Sequence, residues 1–318
     1  MTMAPESTLA VLPEAVVFDV FGTVFDWRSP VKSALEHAIS QKLALAGNST
    51  NLPPGSPDLS TPSAIRKFAA TFAEQWRDSY KDFVVTQAEA TSPSSTTNIN
   101  QCRAPYKTID AHHLASLRNL LASYHISHLF SAQETQTLSR IWHFLTPWPD
   151  SAPGIAALRS RCPVATLSNG NVKLLLDLQR HSGVVFDVTL SAQLWRSYKP
   201  AKEVYIGACE VLGVGSDDAW AEYCETDVGE REDEEAWRAK QRGKVAMVAA
   251  HIGDLRAAKD CGLATIYIHR PGEDDEKGSE DAEAAYRASG EDWIDMWVRH
   301  DEGGIQEVAR RLAKLAEK

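Results

Sequence analysis

The 318-residue chain has little that would place it in a membrane, outside the cell or on nucleic acid. No apolar run approaches the roughly 18 residues that span a bilayer. The first residues, Met1 to Glu6, lack the basic flank and apolar stretch of a signal peptide. The net charge of −10 argues against a nucleic-acid surface. These absences predict a cytoplasmic protein with neither a membrane nor a nucleic-acid partner.

Cysteine is also scarce. The five cysteines show no C-x-x-C spacing, so neither a disulfide framework nor a zinc site is indicated.

Acidic residues, in contrast, are concentrated in one stretch: residues 217–235 hold ten acids and a single base, Arg231. We interpret this acidic segment as a solvated loop or helix edge, and a segment that binds a partner is the alternative.

Asp19 lies where a short apolar run ends and the chain turns. Residues 16–18, Val-Val-Phe, predict a strand buried on both faces, as in a parallel sheet. Gly22 permits a sharp bend just after that strand. The carboxylate is therefore expected at the carboxyl end of the sheet, where open α/β folds bind ligands and where it can act as a nucleophile. This motif alone leaves open a turn carboxylate without a catalytic role.

From residue 163 onward, apolar runs alternate with helical periods. The pattern predicts strands at 164–167, 184–186, 245–248 and 265–268, and helices from 172, over 201–212 and from 255. Such alternation indicates a Rossmann-like, doubly wound α/β fold with a parallel sheet. Residues between the first two strands read mostly as helices. We therefore expect a core domain of residues 1–32 and 149–318 with an inserted helical cap domain of residues 33–148.

Three further segments place polar side chains at the predicted carboxyl edge. Ser168 and Asn169 end the second strand, Lys199 precedes Pro200 and a helix, and Asp254 follows the strand at 245–248. Each has a plainer interpretation, since Ser-Asn-Gly forms good turns and a lysine before a helix usually lies on the surface. Taken singly, none of them identifies a function.

In order along the chain, these segments resemble the motifs of the haloacid dehalogenase (HAD) superfamily. Its first motif, D-x-x-G-T, matches Asp19, Gly22 and Thr23, but Phe21 stands where the superfamily's phosphatases have a second Asp. Ala250 stands where those phosphatases have an acidic Mg²⁺ ligand. A register that makes Gly253-Asp254 the phosphatase motif would misplace the following Ala-Ala pair and is disfavoured. The first change removes the acid/base of those phosphatases, and the second removes a hard oxygen ligand that Mg²⁺ needs, so both point away from phosphate chemistry.

The changes match instead the metal-free branch, the type II L-2-haloacid dehalogenases. Three further segments are similar to motifs of that family: Trp76-Arg77 to its W-R pair, residues 147–150 to its P-x-P-D, and residues 198–205 to its Y-K-P-x-x-x-V-Y. The resemblance implies hydrolytic dehalogenation of short 2-haloalkanoic acids through an ester on the nucleophilic aspartate, without a cofactor or metal. The partners it implies are a small haloacid and the released halide, and we also expect a homodimer.

The resemblance also implies a role for each matching residue. Asp19 attacks carbon, Asp254 activates water, Lys199 keeps Asp19 ionised and Thr23 hydrogen-bonds to Asp19. The residues implied to contact substrate or halide are Phe21, Ser168 (for the substrate carboxylate), Arg77 and Asn169 (for the halide) and Tyr205, which supports Lys199 or the substrate.

The fourth motif departs from the family pattern S-S-N-x-W-D. Ala249 and His251 replace the serine and the asparagine, and Gly253 replaces the aromatic residue, so the halide preference stays open. His251 has three open interpretations: it orients Asp254 or Lys199, it transfers a proton, or it is structural. Two other functions also stay open, namely a phosphatase of the same fold and a non-enzymatic protein that binds a partner through the acidic segment.

Overall fold

The structure is a computed structural model that describes residues 7–45, 52–91, 106–213, 243–274, 283, 286, 288 and 293–317. The chain divides into two compact units. The sheet unit comprises Met1–Phe25, Pro147–Ser168 and Gly183–Lys318, and the helical unit comprises Asp26–Thr146 and Asn169–Ser182. The short strands β2 (Phe25–Asp26) and β3 (Thr146–Pro147) lie where the chain passes from one unit to the other.

The sheet unit is built on six parallel strands. They are β1 (Ala15–Phe18), β4 (Val164–Ser168), β5 (Val188–Ser191), β6 (Val245–Ala249), β7 (Ala264–Ile268) and β8 (Met296–Val298). Their order in the sheet is β5-β4-β1-β6-β7-β8, which puts β1 in the interior. All four residues of β1 are buried, as expected for a continuous apolar strand covered on both faces.

Helices cover both faces of this sheet. Helices α7 (Lys202–Val211) and α8 (Ile252–Asp260) share one apolar cluster with alternate strand residues such as Val17 and Met247. Helices α5 (Ser151–Arg159) and α9 (Gly304–Ala316) pack together on the other face, α5 against β4 and α9 against β7 and β8. The predicted doubly wound α/β fold with a parallel sheet is therefore confirmed.

Two details of the sequence prediction are wrong. The third predicted strand, 184–186, is not a strand. The side chains of Val184 and Phe186 are buried, but the backbone bonds to β4 only from Asp187 onward, and strand β5 begins at Val188. The helix predicted from Leu255 begins three residues earlier, at Ile252, whose backbone N–H is capped by the carboxylate of Asp274. Strand β8 and helix α9 were not predicted.

The helical unit contains α1 (Arg28–Leu45), α2 (Pro62–Thr91), α3 (Ile109–Ser123), α4 (Ala132–Ser139) and α6 (Val172–Ser182). Its interior is aromatic. The Trp76 indole on α2 packs edge-on against Trp142 and donates to the His113 carbonyl and the Ser116 hydroxyl of α3. His113 in turn stacks on Trp142, with ring centroids 4.5 Å apart.

The two units differ from the expected domains at their limits, since the helical unit begins at Asp26 and includes Asn169–Ser182. The domain limits of the sequence analysis stay a prediction. The acidic segment at 217–235 lies outside the described residues. Among the helices that the structure describes, none is long and apolar enough to cross a bilayer.

Candidate active site

The candidate site lies at the carboxyl edge of the sheet unit. In the register of the strands, Phe18 of β1 lies opposite Thr166 of β4 and Val248 of β6. The residues that follow in the three strands therefore lie side by side, which brings Asp19 level with the carboxyl ends of β4 and β6. The backbone N–H of Asp19 donates to the carbonyl of Val248, so the start of the turn is held against β6.

Three donors surround the buried carboxylate of Asp19. Lys199 Nζ lies 2.8 Å from Oδ1, while the Thr23 hydroxyl, at 2.8 Å, and His251 Nδ1, at 3.1 Å, lie next to Oδ2. The Thr23 hydroxyl accepts the backbone N–H of Ala250 at 3.0 Å, which leaves its own proton directed at Asp19. The two oxygens of Asp19 thus have different partners.

These donors determine the charge of Asp19. Burial favours the neutral acid, but the ammonium of Lys199 and the hydrogen bond from His251 outweigh it and hold the pKa of Asp19 well below its ordinary value. Burial likewise opposes the charge on Lys199, yet Asp19 and Asp254 together raise the pKa of its ammonium. Asp19 is therefore an anion and Lys199 a cation across the neutral pH range.

Lys199 also joins Asp19 to Asp254. Its Nζ lies 2.5 Å from Asp254 Oδ2, and the Tyr205 hydroxyl donates to Asp254 Oδ1 at 2.6 Å. The sequence predicts that Tyr205 supports Lys199 or the substrate, whereas its hydroxyl contacts Asp254. Lys199 comes from the segment before α7, Tyr205 from α7 and Asp254 from the first turn of α8.

The environment of Asp254 favours proton uptake. Burial raises the pKa of the Asp254 carboxyl, and the negative charge of Asp19 raises it further. The ammonium of Lys199 lowers it, but the pKa stays above its ordinary value. A carboxylate with a raised pKa is a better general base than an exposed one. Lys199 thus contacts both an ionised nucleophile, Asp19, and a base with a raised pKa, Asp254.

His251 contacts Asp19 and Glu273, whereas one of its interpretations expected it beside Asp254 or Lys199. Its Nδ1 lies next to Asp19, and its Nε2 lies 2.8 Å from Oε2 of Glu273, a buried residue of the loop after β7. Burial opposes the charged imidazole, but the hydrogen bonds and charges of Asp19 and Glu273 raise the pKa of His251 to about 10. Sequence reasoning missed Glu273, because it belongs to no motif and lies 22 positions after His251 in an acidic loop.

The structure buries Phe21 and Ser168 in the sheet unit. Phe21, two residues after the nucleophile, is apolar and 3% exposed, and Ser168 ends β4 with no exposed surface. Ala250, the position of the missing acidic ligand, is also fully buried. Within the described parts of the chain, no cluster of three or more His, Cys, Asp or Glu side chains could hold a metal ion.

The two residues predicted to contact the halide, Arg77 and Asn169, both belong to the helical unit and are both buried. The Arg77 guanidinium lies over the rings of Trp27, 5.5 Å from the centroid, and Tyr80, at 4.6 Å. Its Nε is buried and has no hydrogen-bond partner among the described residues. An unpaired donor on a buried cation is costly unless an anion satisfies it.

Comparison with known families identifies the chain. A family model described as haloacid dehalogenase-like hydrolase matches residues 13–262. The chain belongs to this family. The match covers the Asp19 turn, the helical unit and Asp254, so the predicted membership of the HAD superfamily is confirmed, and with it an enzyme of the hydrolase class. No curated protein matches the chain at a significant level.

Solved structures of haloacid dehalogenases are similar over nearly the whole length. The defluorinating L-2-haloacid dehalogenase Rha0230 is 28% identical with a TM-score of 0.65, and the match covers 95% of each chain. The L-2-haloacid dehalogenase PA0810 is 27% identical with a TM-score of 0.64, over 95% of this chain and 99% of that one. The enzyme from Xanthobacter autotrophicus has the same fold, at 19% identity and a TM-score of 0.62, over 95% and 99% of the two chains.

Proposed function

We propose that this HAD-family hydrolase releases halide from short 2-haloalkanoic acids through an ester formed on Asp19. One observation carries the proposal: the buried ammonium of Lys199 lies 2.8 Å from Asp19 and 2.5 Å from Asp254, joining an ionised nucleophile to a base. The similarity to two L-2-haloacid dehalogenases at 27% and 28% identity supports the same reaction class.

In the first step, an oxygen of Asp19 attacks the carbon that bears the halogen, and the halide leaves with the bonding electrons. Arg77 and Asn169 are the proposed stabilisers of the halide. The unpaired Nε of Arg77, between two aromatic faces, supports this role because it is a buried cationic donor. Ser168, backbone N–H groups after Asp19 and Phe21 are the proposed contacts of the substrate.

In the second step, water attacks the carbonyl of the ester and Asp254 accepts its proton. The raised pKa of Asp254 supports this role. The product is a 2-hydroxy acid, and Asp19 is regenerated as a carboxylate. Before each turnover Lys199 is a cation beside both carboxylates, since its pKa is raised by the same two groups.

Halide release is expected to persist in excess EDTA. Ala250 supplies no carboxylate at the position where HAD phosphatases have an acidic Mg²⁺ ligand, and Phe21 adds no carboxylate beside Asp19. The positive charge next to Asp19 comes from Lys199. The measurement is halide release before and after chelation. Complete loss on chelation, restored by Mg²⁺, would contradict the proposal and favour a phosphatase.

A substrate panel tests the function itself. We expect halide release from chloroacetate, bromoacetate, fluoroacetate or the two enantiomers of 2-chloropropionate, with no turnover of aryl phosphates. Asp19→Asn, nearly isosteric but a far poorer nucleophile, is the negative control. Turnover of aryl phosphate without halide release from any haloacid would overturn the proposal. The homodimer and the cytoplasmic location stay predictions.

A further inference from the structure

Glu273 is a buried carboxylate that belongs to no family motif singled out in the sequence. Its side chain is 5% exposed and lies 2.8 Å from His251 Nε2. It also packs directly against Gly22, where a Cβ atom would lie 2.6 Å from Glu273 Cδ. Because Gly22 has no side chain, Glu273 reaches the site from the loop after β7 and closes over the turn that follows Asp19.

His251 is held between two carboxylates. A carboxylate can only accept hydrogen bonds, so an imidazole that faces one with each ring nitrogen is satisfied only when both nitrogens carry protons. The distances are 3.1 Å to Asp19 Oδ2 and 2.8 Å to Glu273 Oε2. Glu273 thus fixes the ring orientation and favours the doubly protonated form, which directs Nδ1–H at Asp19.

The donors to Asp19 distinguish its two oxygens. Lys199 contacts Oδ1, whereas Thr23 and His251 both contact Oδ2. If Oδ1 forms the new bond to carbon, Oδ2 becomes the carbonyl oxygen of the ester. Two donors, one of them cationic, then already surround the atom on which negative charge develops when water attacks.

We propose that His251, oriented by Glu273, stabilises the oxyanion formed on Asp19 Oδ2 during hydrolysis of the ester, and that Glu273 is a positioning residue for this step. The inference rests on the proposed dehalogenation and deepens it. It gives His251 a role that the sequence-based interpretations did not contain, since those were orientation of Asp254 or Lys199, proton transfer and a structural role.

The step is balanced in atoms and electrons. Water oxygen bonds to Cγ of Asp19, one water proton passes to Asp254, and the carbonyl π pair moves to Oδ2. The electron pair on Oδ2 then re-forms the carbonyl as the Cγ–Oδ1 bond breaks, and the pair of that bond leaves with the alkoxide. Lys199, 2.8 Å from Oδ1, donates a proton to that alkoxide and regains one from Asp254. The second water proton leaves the Asp19 carboxyl, so the sum is halide, hydroxy acid and one proton.

The test separates the two steps in Glu273→Gln. Glutamine still accepts a hydrogen bond from Nε2 but removes the negative charge, so the imidazolium is less favoured. In rapid-mix experiments with 2-chloropropionate, we expect a burst of about one halide per enzyme at close to the wild-type rate, followed by ester hydrolysis slowed about 10-fold to 100-fold. Intact-mass spectrometry should then show the alkylated enzyme accumulating.

His251→Asn should slow the same step by at least as much, because it removes the cationic donor. This second variant keeps the test decisive if Glu273→Gln folds poorly. Glu14→Gln, at an exposed glutamate of the sheet unit, is the matched control and should behave as wild type.

Three outcomes are distinguishable. Accumulation of the alkyl-enzyme in both variants supports the inference. The inference is overturned if Glu273→Gln and His251→Asn hydrolyse the ester at the wild-type rate. It is also overturned if both variants lose the halide burst and the hydrolysis equally. In either case, halide release by the wild type leaves the proposed function standing. Absence of halide release from every haloacid by the wild type overturns both.

Discussion

At the scale of single residues, Arg77 is a buried cation of the helical unit whose Nε has no hydrogen-bond partner among the described residues. Arg77→Ala should reduce halide release by about tenfold to a thousandfold, because a charged donor to a developing anion is worth a few kcal/mol in a site with little water. The measurement is kcat and KM for halide release. Arg66→Ala on the same helix is the matched control, since Arg66 is exposed and pairs with Glu36 on the surface. Native rates for Arg77→Ala in a folded protein would place the halide elsewhere.

The pairing of His251 also affects stability. Asp19 and Glu273 raise its pKa from 6.5 to about 10 against the effect of burial, so the folded state holds this proton more tightly than the unfolded state does. The stabilisation is complete below about pH 6.5 and is lost as the pH rises towards 10. His251→Asn should therefore flatten the decline in the free energy of unfolding between pH 7 and 10, measured by urea denaturation.

His128→Asn is the control for this measurement, because His128 is exposed in the helical unit. It should show the same decline as the wild type. If the wild type and His251→Asn lose stability in parallel over this pH range, the imidazole does not hold an extra proton in the folded protein.

At the scale of elements, the turn after β1 depends on a glycine for two reasons. Gly22 has a φ of +84°, and a Cβ there would meet Glu273 at 2.6 Å. Gly183 has a similar φ of +74° but nothing within 4 Å of a Cβ. Gly183→Ala should cost about 1 kcal/mol of unfolding free energy from backbone strain alone, and Gly22→Ala clearly more. Equal losses in the two variants would mean that Glu273 does not pack against Gly22.

The sequence predicts the elements beside Asp19, Lys199 and Asp254. Each of these residues follows an apolar strand or precedes a helix with regularly spaced apolar residues. It fails at 184–186, where the side chains of Val184 and Phe186 are buried without strand pairing. It also fails at Glu273, whose contact with His251 depends on how the loop after β7 folds back over the site. Local patterns identify strand ends, whereas a contact made by a loop requires the tertiary structure.

At the scale of the whole molecule, the predicted site residues are divided between the two units. The sheet unit contains the residues that hold and charge the nucleophile, and the helical unit contains Arg77 and Asn169. The family match and the solved relatives extend over both units. The chemistry therefore depends first on what Asp19 does within the sheet unit, where Lys199 and His251 contact its carboxylate.

The central claim is that Asp19, and not water, makes the first attack on carbon. A single turnover in ¹⁸O-water with enzyme in excess tests it most directly, with mass spectrometry of the product and of the Asp19 peptide. Attack by Asp19 transfers one of its own unlabelled oxygens to the hydroxy acid, and hydrolysis leaves solvent ¹⁸O in the Asp19 carboxylate. We predict unlabelled product and labelled Asp19 from that turnover. Product that carries ¹⁸O together with unlabelled Asp19 would contradict the account, even if the enzyme releases halide.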